Sequence, residues 1–429
     1  MGSWYKRFRK LLSPSVRYVE MRLKMVWYNL HRPCIVKRIQ GKDRVRVAFF
    51  VVNLSMWKCD SLFRLLLSDS RFDPVMVLMP RPMFNYDAEK EEQLRLMDYC
   101  RQMGYPFIPG YDYEREQFNG ADEIRPDLVF FSQPYNDAYP AHKLEAYWNN
   151  SLFFYIPYCI MIEEQSVMIN TLFMNICQTV FTENDALRSI ESRILSNRGK
   201  NCMTSGFIGE RELTESPVES DYSLWKEQSK EIKRVIWAPH HSILAKDKLN
   251  YSNFLTIADD MVQLASDYKG RVQFVFKPHP GLKPKLYDME GWGKDRTDRY
   301  YSLWNDMPNT SVVEGTYQGL FRSSDAMIHD CSSFTAEYLY TGKPVMYITK
   351  EDHLDFMNAF GTECYDMHYK GNGIDDIRSF IDKVVIGGDD DMKAARDSFV
   401  RENLTHSSQG YADEIIMNCL ITTVGGGNK

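Results

Sequence analysis

The chain has 429 residues, which is too long for one ordinary hydrophobic core and fits two domains. Hydrophobic residues make up 44% and charged residues 26%, the balance of a globular protein rather than of a disordered one. The nine cysteines are scattered without a CxxC or Cys/His cluster, so we expect reduced thiols and no structural zinc site. We expect neither a signal peptide nor a membrane span, because no apolar run approaches about 20 residues.

The basic charge is concentrated at the amino end. Residues 1–46 hold thirteen Lys and Arg against Glu20 and Asp43, whereas the rest of the chain has a net charge of −17. Apolar residues follow a helical period in two stripes: Trp4, Phe8, Leu11 and Leu12, then Val16, Val19, Leu23, Val26, Trp27 and Leu30. We therefore predict that residues 1–44 form a basic amphipathic arm, with residues 1–40 on an anionic membrane surface. The alternative is a helix packed on the protein with a solvated basic face. No recognition motif supports nucleic-acid binding.

Alternating strand and helix patterns predict a first doubly wound α/β domain over residues 45–205. The predicted strands are 45–52, 72–79, 107–108, 127–131, 153–158 and 178–183, and the predicted helices are 60–68, 88–103, 165–177 and 185–196. A charged stretch with Pro and Ser at 206–232 is expected to be the interdomain linker.

A second doubly wound domain is predicted over residues 233–405, followed by a terminal helix and tail at 406–429. Its expected strands are 234–238, 272–277, 311–313, 326–328 and 345–348, and its expected helices include 253–266, 319–323 and 411–421. Ligands of such sheets bind beyond the carboxyl ends of the strands, which directs attention to the residues that follow each strand.

The segment from Asp330 to Glu337 follows one of these strands and reads as a polar turn that enters a helix. Ser332 or Ser333 is a suitable N-cap, and Gly342 is suited to end the helix. A helix amino terminus beside two hydroxyls is also an anion site. Taken alone, the segment supports a phosphate site and a simple helix cap equally.

Two further histidine-bearing turns follow strands of the same domain. Pro239 precedes His240 and His241, and we expect only one of these two adjacent side chains to face the site. Lys277 and His279 are spaced by two and should point to one side, where a cation and an imidazole suit a diphosphate. Three such turns after strands of one sheet converge on one crevice, which favours a functional site over a set of plain turns.

The motifs resemble those of the CDP-glycerol glycerophosphotransferase family, the teichoic acid and capsule polymerases. The resemblance covers about residues 232–405 and lies in Trp-Ala-Pro-His-His at 237–241, Lys-Pro-His-Pro at 277–280, Ser-Asp-(x4)-Asp-Cys-Ser-Ser-(x3)-Glu at 324–337 and Gly-Lys-Pro at 342–344. It implies a GT-B fold, in which two Rossmann-like doubly wound domains face a cleft, with residues 45–205 on the acceptor side and 233–405 on the donor side.

The resemblance also implies a cytoplasmic enzyme, peripheral on the inner face of the cell membrane, that needs no metal or cofactor. Such an enzyme transfers glycerol phosphate or a related alditol phosphate from a CDP-activated donor to a hydroxyl of a lipid-linked glycan precursor and releases CMP. The implied catalytic residues are His279, which contacts the transferring phosphate, and His240 and His241, which border the donor. The implied donor-binding residues are Lys277, Asp330, Ser332, Ser333 and Glu337.

One departure leaves the donor open: the family commonly has Pro-Thr-x-Arg where this chain has Pro-His-His-Ser at 239–242. A nucleotide-sugar glycosyltransferase of the GT-B fold, a UDP-sugar 2-epimerase and a catalytically inactive binding subunit are the alternatives. The sequence singles out no acceptor-side base, although Asn53, Asp60, Gln133, Glu163 and Glu164 follow strands.

Overall fold

The computed structural model describes residues 14–80, 86–134, 138–164, 169–227, 232–244, 247, 249–405 and 409–425. The chain forms two compact units. The first comprises Met1–Tyr158, Gln165–Ile208 and Ser407–Lys429, and the second comprises Cys159–Glu164 and Gly209–His406. Each unit is built on a parallel sheet, so the predicted α/β class with two Rossmann-like sheets is confirmed.

The sheet of the first unit has seven parallel strands in the order β3-β2-β1-β6-β7-β8-β9. The strands are β1 (Val45–Val51), β2 (Phe72–Leu78), β3 (Phe107–Pro109), β6 (Leu128–Phe131), β7 (Leu152–Tyr155), β8 (Thr179–Thr182) and β9 (Cys202–Thr204). A separate antiparallel pair is formed by β4 (Tyr111–Asp112) and β5 (Gln117–Phe118). The order reverses between β1 and β6, which is the position where doubly wound sheets bind ligands.

Aromatic side chains hold the middle of this sheet together. Phe49, Phe130, Phe154 and Phe181 come from four neighbouring strands and stack in sequence, with centroid separations of 4.7, 5.2 and 6.4 Å. All four are almost fully buried. Part of the 14% aromatic content of the chain therefore serves the core of this unit.

Helices cover the first sheet. They are α1 (Pro14–Gln40), α2 (Asp60–Ser68), α3 (Tyr86–Met103), α4 (Ala121–Ile124), α5 (Leu144–Tyr147), α6 (Leu172–Ile176) and α7 (Asp185–Ile194). Short 3-10 turns occupy Leu54–Met56 and Pro140–His142. A helix was predicted over 165–177, but α6 begins only at Leu172. The Thr171 side chain accepts the backbone N–H of Met174 and caps the helix there.

Helix α1 has two apolar faces. Met25, Tyr28, Ile35 and Ile39 are buried within the first unit. On the opposite side, spaced by three or four residues, lie the exposed Val16, Val19, Leu23, Val26 and Leu30. Residues 1–13, which include the first predicted stripe, lie outside the described residues. Among the described helices, none is long and apolar enough to cross a membrane.

The sheet of the second unit has six parallel strands in the order β12-β11-β10-β13-β14-β15. The strands are β10 (Lys233–Ala238), β11 (Val272–Phe276), β12 (Thr310–Val312), β13 (Ala326–His329), β14 (Val345–Ile348) and β15 (Tyr369–Gly371). In chain order this is 3-2-1-4-5-6, the arrangement of dinucleotide-binding domains, and the order reverses between β10 and β13.

The helices of the second unit are α8 (Glu210–Thr214), α9 (Glu219–Tyr222), α10 (Phe254–Asp267), α11 (Leu282–Tyr287), α12 (Gly293–Asp306), α13 (Gln318–Ser323), α14 (Phe334–Glu337), α15 (Ala359–Asp366), α16 (Ile374–Phe380) and α17 (Lys393–Asn403). Tyr338–Thr341 and His353–Phe356 are 3-10 turns, and Ile381–Ile386 is a π-helical turn. The last helix, α18 (Ala412–Gly425), returns to the first unit and packs on α1 and α2.

Residues 206–232 were expected to form an interdomain linker, but their described part contains two helices that belong to the second unit. Helices α8 and α9 pack on α13 of the second unit. The carboxylate of Asp221 accepts two hydrogen bonds from the guanidinium of Arg322, at 2.9 Å each. The indole of Trp225 donates to Ser323. The many polar residues of this segment thus make specific contacts, which the composition alone does not distinguish from those of a solvated linker.

Candidate active site

The three predicted turns come together at the carboxyl ends of three adjacent strands. The residues after β10 are Pro239, His240 and His241, those after β11 are Lys277 to His279, and those after β13 begin at Asp330. Since β10 lies between β11 and β13, the turns share one edge of the sheet at the reversal of strand order. The predicted convergence is therefore present in the fold.

Asp330 links the turns to one another. One carboxylate oxygen accepts the backbone N–H of His240 and the other accepts that of Asn253, both at 2.6 Å. The carboxyl is 2% exposed, and burial raises its pKa to about 7 against the opposing effect of these hydrogen bonds. Because both oxygens are engaged by the backbone, Asp330 positions the histidine turn. Direct contact between Asp330 and a donor stays a prediction.

The expectation that only one of His240 and His241 faces the site is wrong. Their ring centroids are 4.3 Å apart, and both rings contact His279, at 5.2 and 4.2 Å. The rule of alternating side chains applies to extended strands, but β10 ends at Ala238 and the pair lies in the turn that follows. All three imidazoles thus form one cluster.

The hydrogen bonds around His240 determine which of its ring nitrogens carries the proton. Its Nδ1 lies 3.2 Å from the backbone N–H of Ser242 and 2.9 Å from the Ser242 hydroxyl. That hydroxyl already accepts the backbone N–H groups of Tyr251 and Ser252, so its own proton points to His240. With Nδ1 accepting, the proton of the neutral ring is on Nε2.

His279 and His241 have the same tautomer for the same reason. The Nδ1 of His279 accepts the backbone N–H of Gly281 at 3.0 Å. The Nδ1 of His241 accepts from the ammonium of Lys285 at 2.9 Å, and Asp247 holds that ammonium at 2.6 Å. An amide N–H and an ammonium can only donate, so each ring keeps its proton on Nε2.

The three rings are neutral near pH 7. Burial lowers the pKa of His240 and of His279 well below the ordinary value, and the neighbouring imidazoles and lysines disfavour a further positive charge on each ring. Burial and the Lys285 ammonium lower the pKa of His241 to about 4. The cluster therefore consists of three uncharged imidazoles, each with an Nε2–H group left as a donor.

This arrangement suits an anion better than a metal ion. One ring nitrogen from each histidine lies within 4.8 Å of the others, a spacing at which three histidines can hold a transition metal. A metal binds a ring nitrogen through its lone pair, but the lone pair of each ring is on Nδ1 and is already hydrogen bonded. Three N–H donors are suited to phosphate oxygens.

The turn after β13 offers further donors. Ser333 occupies the N-cap position of α14 in a helical conformation and makes no side-chain cap bond, so the capping interpretation of this residue is wrong. Within the described part of the chain, neither the Ser332 nor the Ser333 hydroxyl has a hydrogen-bond partner, and both side chains are partly exposed. Gly342 ends this helical segment with φ +66°, as predicted.

Lys277 and Glu337 are both buried in the second unit, and Lys277 lies close to His279. The Lys277 ammonium donates to the carbonyl oxygen of Gly315 at 3.1 Å and contributes to the low pKa of His279. Glu337 is fully buried and accepts the hydroxyl of Tyr317. A contact of Glu337 with phosphate or ribose stays a prediction, because its side chain lies inside the unit.

Several residues that shape the site were not anticipated from the sequence. Ser242, Gly281 and Lys285 fix the tautomers of the three histidines. Ser242 lies within the Pro-His-His-Ser departure from the family pattern, which was the available signal for its role. Lys285 lies on α11, more than forty residues after His241, and nothing in the spacing relates the two.

The candidates for an acceptor-side base have local structural roles where their contacts are clear. Asn53 caps the turn at Leu54–Met56. The carboxylate of Asp60 accepts the Trp57 indole N–H and the Tyr99 hydroxyl. Glu163 pairs with Met357 in the second unit. No base on the acceptor side follows from these contacts.

Comparison with known proteins finds the same family that the sequence motifs resemble. Residues 225–419 match the family described as CDP-glycerol:poly(glycerophosphate) glycerophosphotransferase. The minor teichoic acid biosynthesis protein GgaB of Bacillus subtilis is 26% identical over 263 residues, which cover 57% of this chain. That alignment spans only 26% of GgaB, so about three quarters of the relative has no counterpart in it.

Solved structures with the same fold support the GT-B class. A variant of the wall teichoic acid polymerase TagF has a TM-score of 0.56 at 11% identity, covering 98% of each chain. The UDP-GlcNAc 2-epimerase of Neisseria meningitidis, solved with UDP-GlcNAc, has a TM-score of 0.54 at 12% identity, covering 88% of this chain and 100% of the epimerase. At such identities the likeness concerns the fold alone.

Proposed function

Residues 225–419 match the family described as CDP-glycerol:poly(glycerophosphate) glycerophosphotransferase, and from this match we propose that the chain transfers an alditol phosphate from a CDP-activated donor. The acceptor is a hydroxyl of a lipid-linked precursor of a teichoic acid or capsule polymer. The acceptor oxygen bonds to the phosphorus next to the alditol, and the bond from that phosphorus to the bridging oxygen breaks. CMP leaves with the bridging oxygen, and the hydroxyl proton passes to solvent or to a base.

The observation that carries this proposal is the cluster of three neutral Nε2–H donors beside Lys277 and the Ser332–Ser333 turn. Transfer of a phosphoryl group depends on positioning and on stabilising the charge of the equatorial oxygens. One ring nitrogen from each of the three histidines lies no more than 4.8 Å from the other two, so one point lies within about 2.8 Å of all three nitrogens. In the proposed mechanism a phosphoryl oxygen occupies this region and accepts from the three imidazoles.

In this mechanism the histidines act as hydrogen-bond donors rather than as bases. A base needs a free lone pair on the nitrogen that faces the substrate, and the facing Nε2 carries a proton in each ring. Lys277 adds a positive charge, while Ser332 and Ser333 donate from their hydroxyls to the donor diphosphate. We propose that these groups stabilise the transferring phosphate without a metal ion.

The first test is a panel of donors. The full-length protein is incubated with CDP-glycerol, CDP-ribitol, UDP-glucose and UDP-GlcNAc, and the shift in Tm and the released nucleotide are measured. We expect a CDP-alditol to raise Tm and to yield CMP. Stabilisation and turnover with a UDP-sugar alone would instead favour the glycosyltransferase or the epimerase, both of which fit the shared fold.

We further propose that the exposed face of α1 binds the inner face of the cell membrane. Val16, Val19, Leu23, Val26 and Leu30 are 46–72% exposed and form a continuous apolar stripe. The exposed side chains of Arg17, Arg22, Lys37 and Arg38 lie on the same helix and can interact with anionic lipids.

The membrane proposal is tested by replacing Leu23 and Val26 with Glu and measuring co-sedimentation with vesicles that contain phosphatidylglycerol. Binding should fall at least tenfold. The matched control is Leu303→Glu, an exposed leucine on α12 of the second unit, which should bind as the unmodified chain does. Unchanged binding of the α1 variant would contradict this role of α1.

A further inference from the structure

A cavity of about 240 Å³ opens at the reversal of strand order in the first sheet. Phe50 and Val52 line it at the end of β1, and Phe131, Ser132 and Gln133 line it at the end of β6. This is the position, in the first sheet, that the histidine cluster occupies in the second. Ligands of doubly wound sheets bind at such positions.

One wall of the cavity is aromatic. Phe50 and Phe131 stack with their centroids 4.9 Å apart, and the Phe173 ring meets Phe131 edge to face at 5.2 Å. Aromatic faces of this kind bind the C–H faces of sugars and other apolar surfaces. The wall is formed by side chains from β1, β6 and α6, so it is held by the sheet and not by one loop.

Polar groups without protein partners lie among these aromatic side chains. His142 is fully buried, and its Nε2 lies 2.9 Å from the carbonyl oxygen of Asn119, so Nε2 donates and Nδ1 holds the lone pair. Neither that Nδ1 nor the hydroxyl oxygen of Ser132 has a hydrogen-bond partner in the part of the chain that the structure describes. Burial lowers the pKa of His142, which keeps the lone pair available. A buried acceptor of this kind calls for a ligand with a hydroxyl group.

We propose that this cavity binds one sugar or polyol unit, with its apolar face on the phenylalanines and its hydroxyls on His142 and Ser132. The inference rests on the proposed transferase function, in which this unit is the acceptor end that receives the alditol phosphate. The volume of about 240 Å³ is suited to one hexose-sized unit.

The surroundings of the cavity fit an acceptor that is joined to a lipid. Met21 and Lys24 line the cavity from α1, while Leu23 and Val26 of the same helix lie on its exposed apolar face. Lys143 also lines the cavity and has no ion pair within the described residues, so it can meet a phosphate next to the bound unit. A single helix thus borders both the cavity and the surface proposed to face the lipid.

The experiment is ligand-observed saturation-transfer NMR on the full-length protein. The probes are glucose 1-phosphate, N-acetylglucosamine 1-phosphate and glycerol 1-phosphate, with inorganic phosphate as the arm that tests binding of an anion alone. The variants are Ser132→Leu, which fills the cavity, and His142→Phe, which keeps a ring of similar shape and removes the Nδ1 acceptor together with the donor to Asn119. The control is Asn418→Leu, which places a leucine in the lining of a different cavity of the first unit.

We expect at least one probe to bind the unmodified chain and inorganic phosphate not to displace it. Ser132→Leu should weaken binding at least tenfold and His142→Phe about fivefold, while Asn418→Leu changes nothing. Each variant must keep its Tm and its shift with CDP, which reports the second unit. Absence of probe binding, or equal binding by Ser132→Leu and the unmodified chain, overturns the inference. Probe binding at the cavity without any use of a CDP donor supports the cavity assignment and refutes the transferase.

Discussion

The clearest consequence of the site geometry concerns His279, because glutamine and alanine should behave differently in its place. Glutamine has an oxygen that can accept the Gly281 N–H and a nitrogen that can donate where the imidazole Nε2–H does. Alanine supplies neither group. If His279 is a hydrogen-bond donor to the transferring phosphate, glutamine preserves the interaction, whereas it cannot replace a general base.

The size of the effect follows from the loss of one donor to a transition-state oxygen. Removal of such a donor costs about 2.7–4 kcal/mol, or about 10²–10³-fold in kcat. We therefore expect a decrease of that size in His279→Ala and a decrease within about tenfold in His279→Gln. Two imidazoles persist in both variants, so neither should abolish the reaction.

The assay is CMP release under single-turnover conditions from pH 5.5 to 8.5. Since burial holds the pKa of His279 well below its ordinary value, the rate of the unmodified enzyme should show no ionisation from His279 in that range. Equal loss in the Gln and Ala variants, together with a limb between pH 6 and 8 that vanishes in both, would refute the donor role and identify a base.

Three other predictions follow from the same contacts. Asp330→Asn places an amide NH2 against a backbone N–H of His240 or Asn253, and we expect about 1–3 kcal/mol less stability, measured by urea unfolding, with Asp306→Asn at an exposed position of α12 as the matched control. Ser332→Ala and Ser333→Ala should raise the KM for the CDP donor with no change in Tm, because neither hydroxyl has a protein partner in the described part of the chain; a lower Tm with unchanged KM would show a structural role. His241 has a folded pKa of about 4, so below pH 6.5 the unfolded chain takes up a proton that the folded chain does not. Unfolding free energy relative to His241→Gln should therefore fall by up to about 2 kcal/mol between pH 7.5 and pH 5, and a constant difference would contradict a buried neutral ring.

The elements that periodicity and apolar runs define were well predicted from the sequence. β1, α2 and β14 begin where expected, because each combines a buried face with a clear start signal. β9 and β15 were not predicted, since three residues at a sheet edge carry too little pattern. Helices α12, α15 and α17 were also missed, as their many charged or polar residues obscure the helical period.

The location of the site was predictable, but its chemistry was not. Consecutive motifs after β10, β11 and β13 place His240, Lys277 and Asp330 at one sheet edge, and that follows from the topology of parallel strands. The proton positions depend on Ser242, Gly281 and Lys285, which are brought to the rings by turns and by α11. Hydrogen bonds between distant residues cannot be read from spacing. The sequence alone therefore left the histidines as possible bases, and the fold was needed to assign them as hydrogen-bond donors.

The most direct test of the central claim follows the phosphorus beside the alditol. CDP-glycerol labelled with ³²P at that position is incubated with the full-length protein and a membrane fraction that supplies the acceptor. We predict that the label moves to the lipid-linked product and that CMP is released. Release of CDP with the label still attached would mean that the bond to the alditol is the one that breaks, and that result would contradict a phosphotransferase.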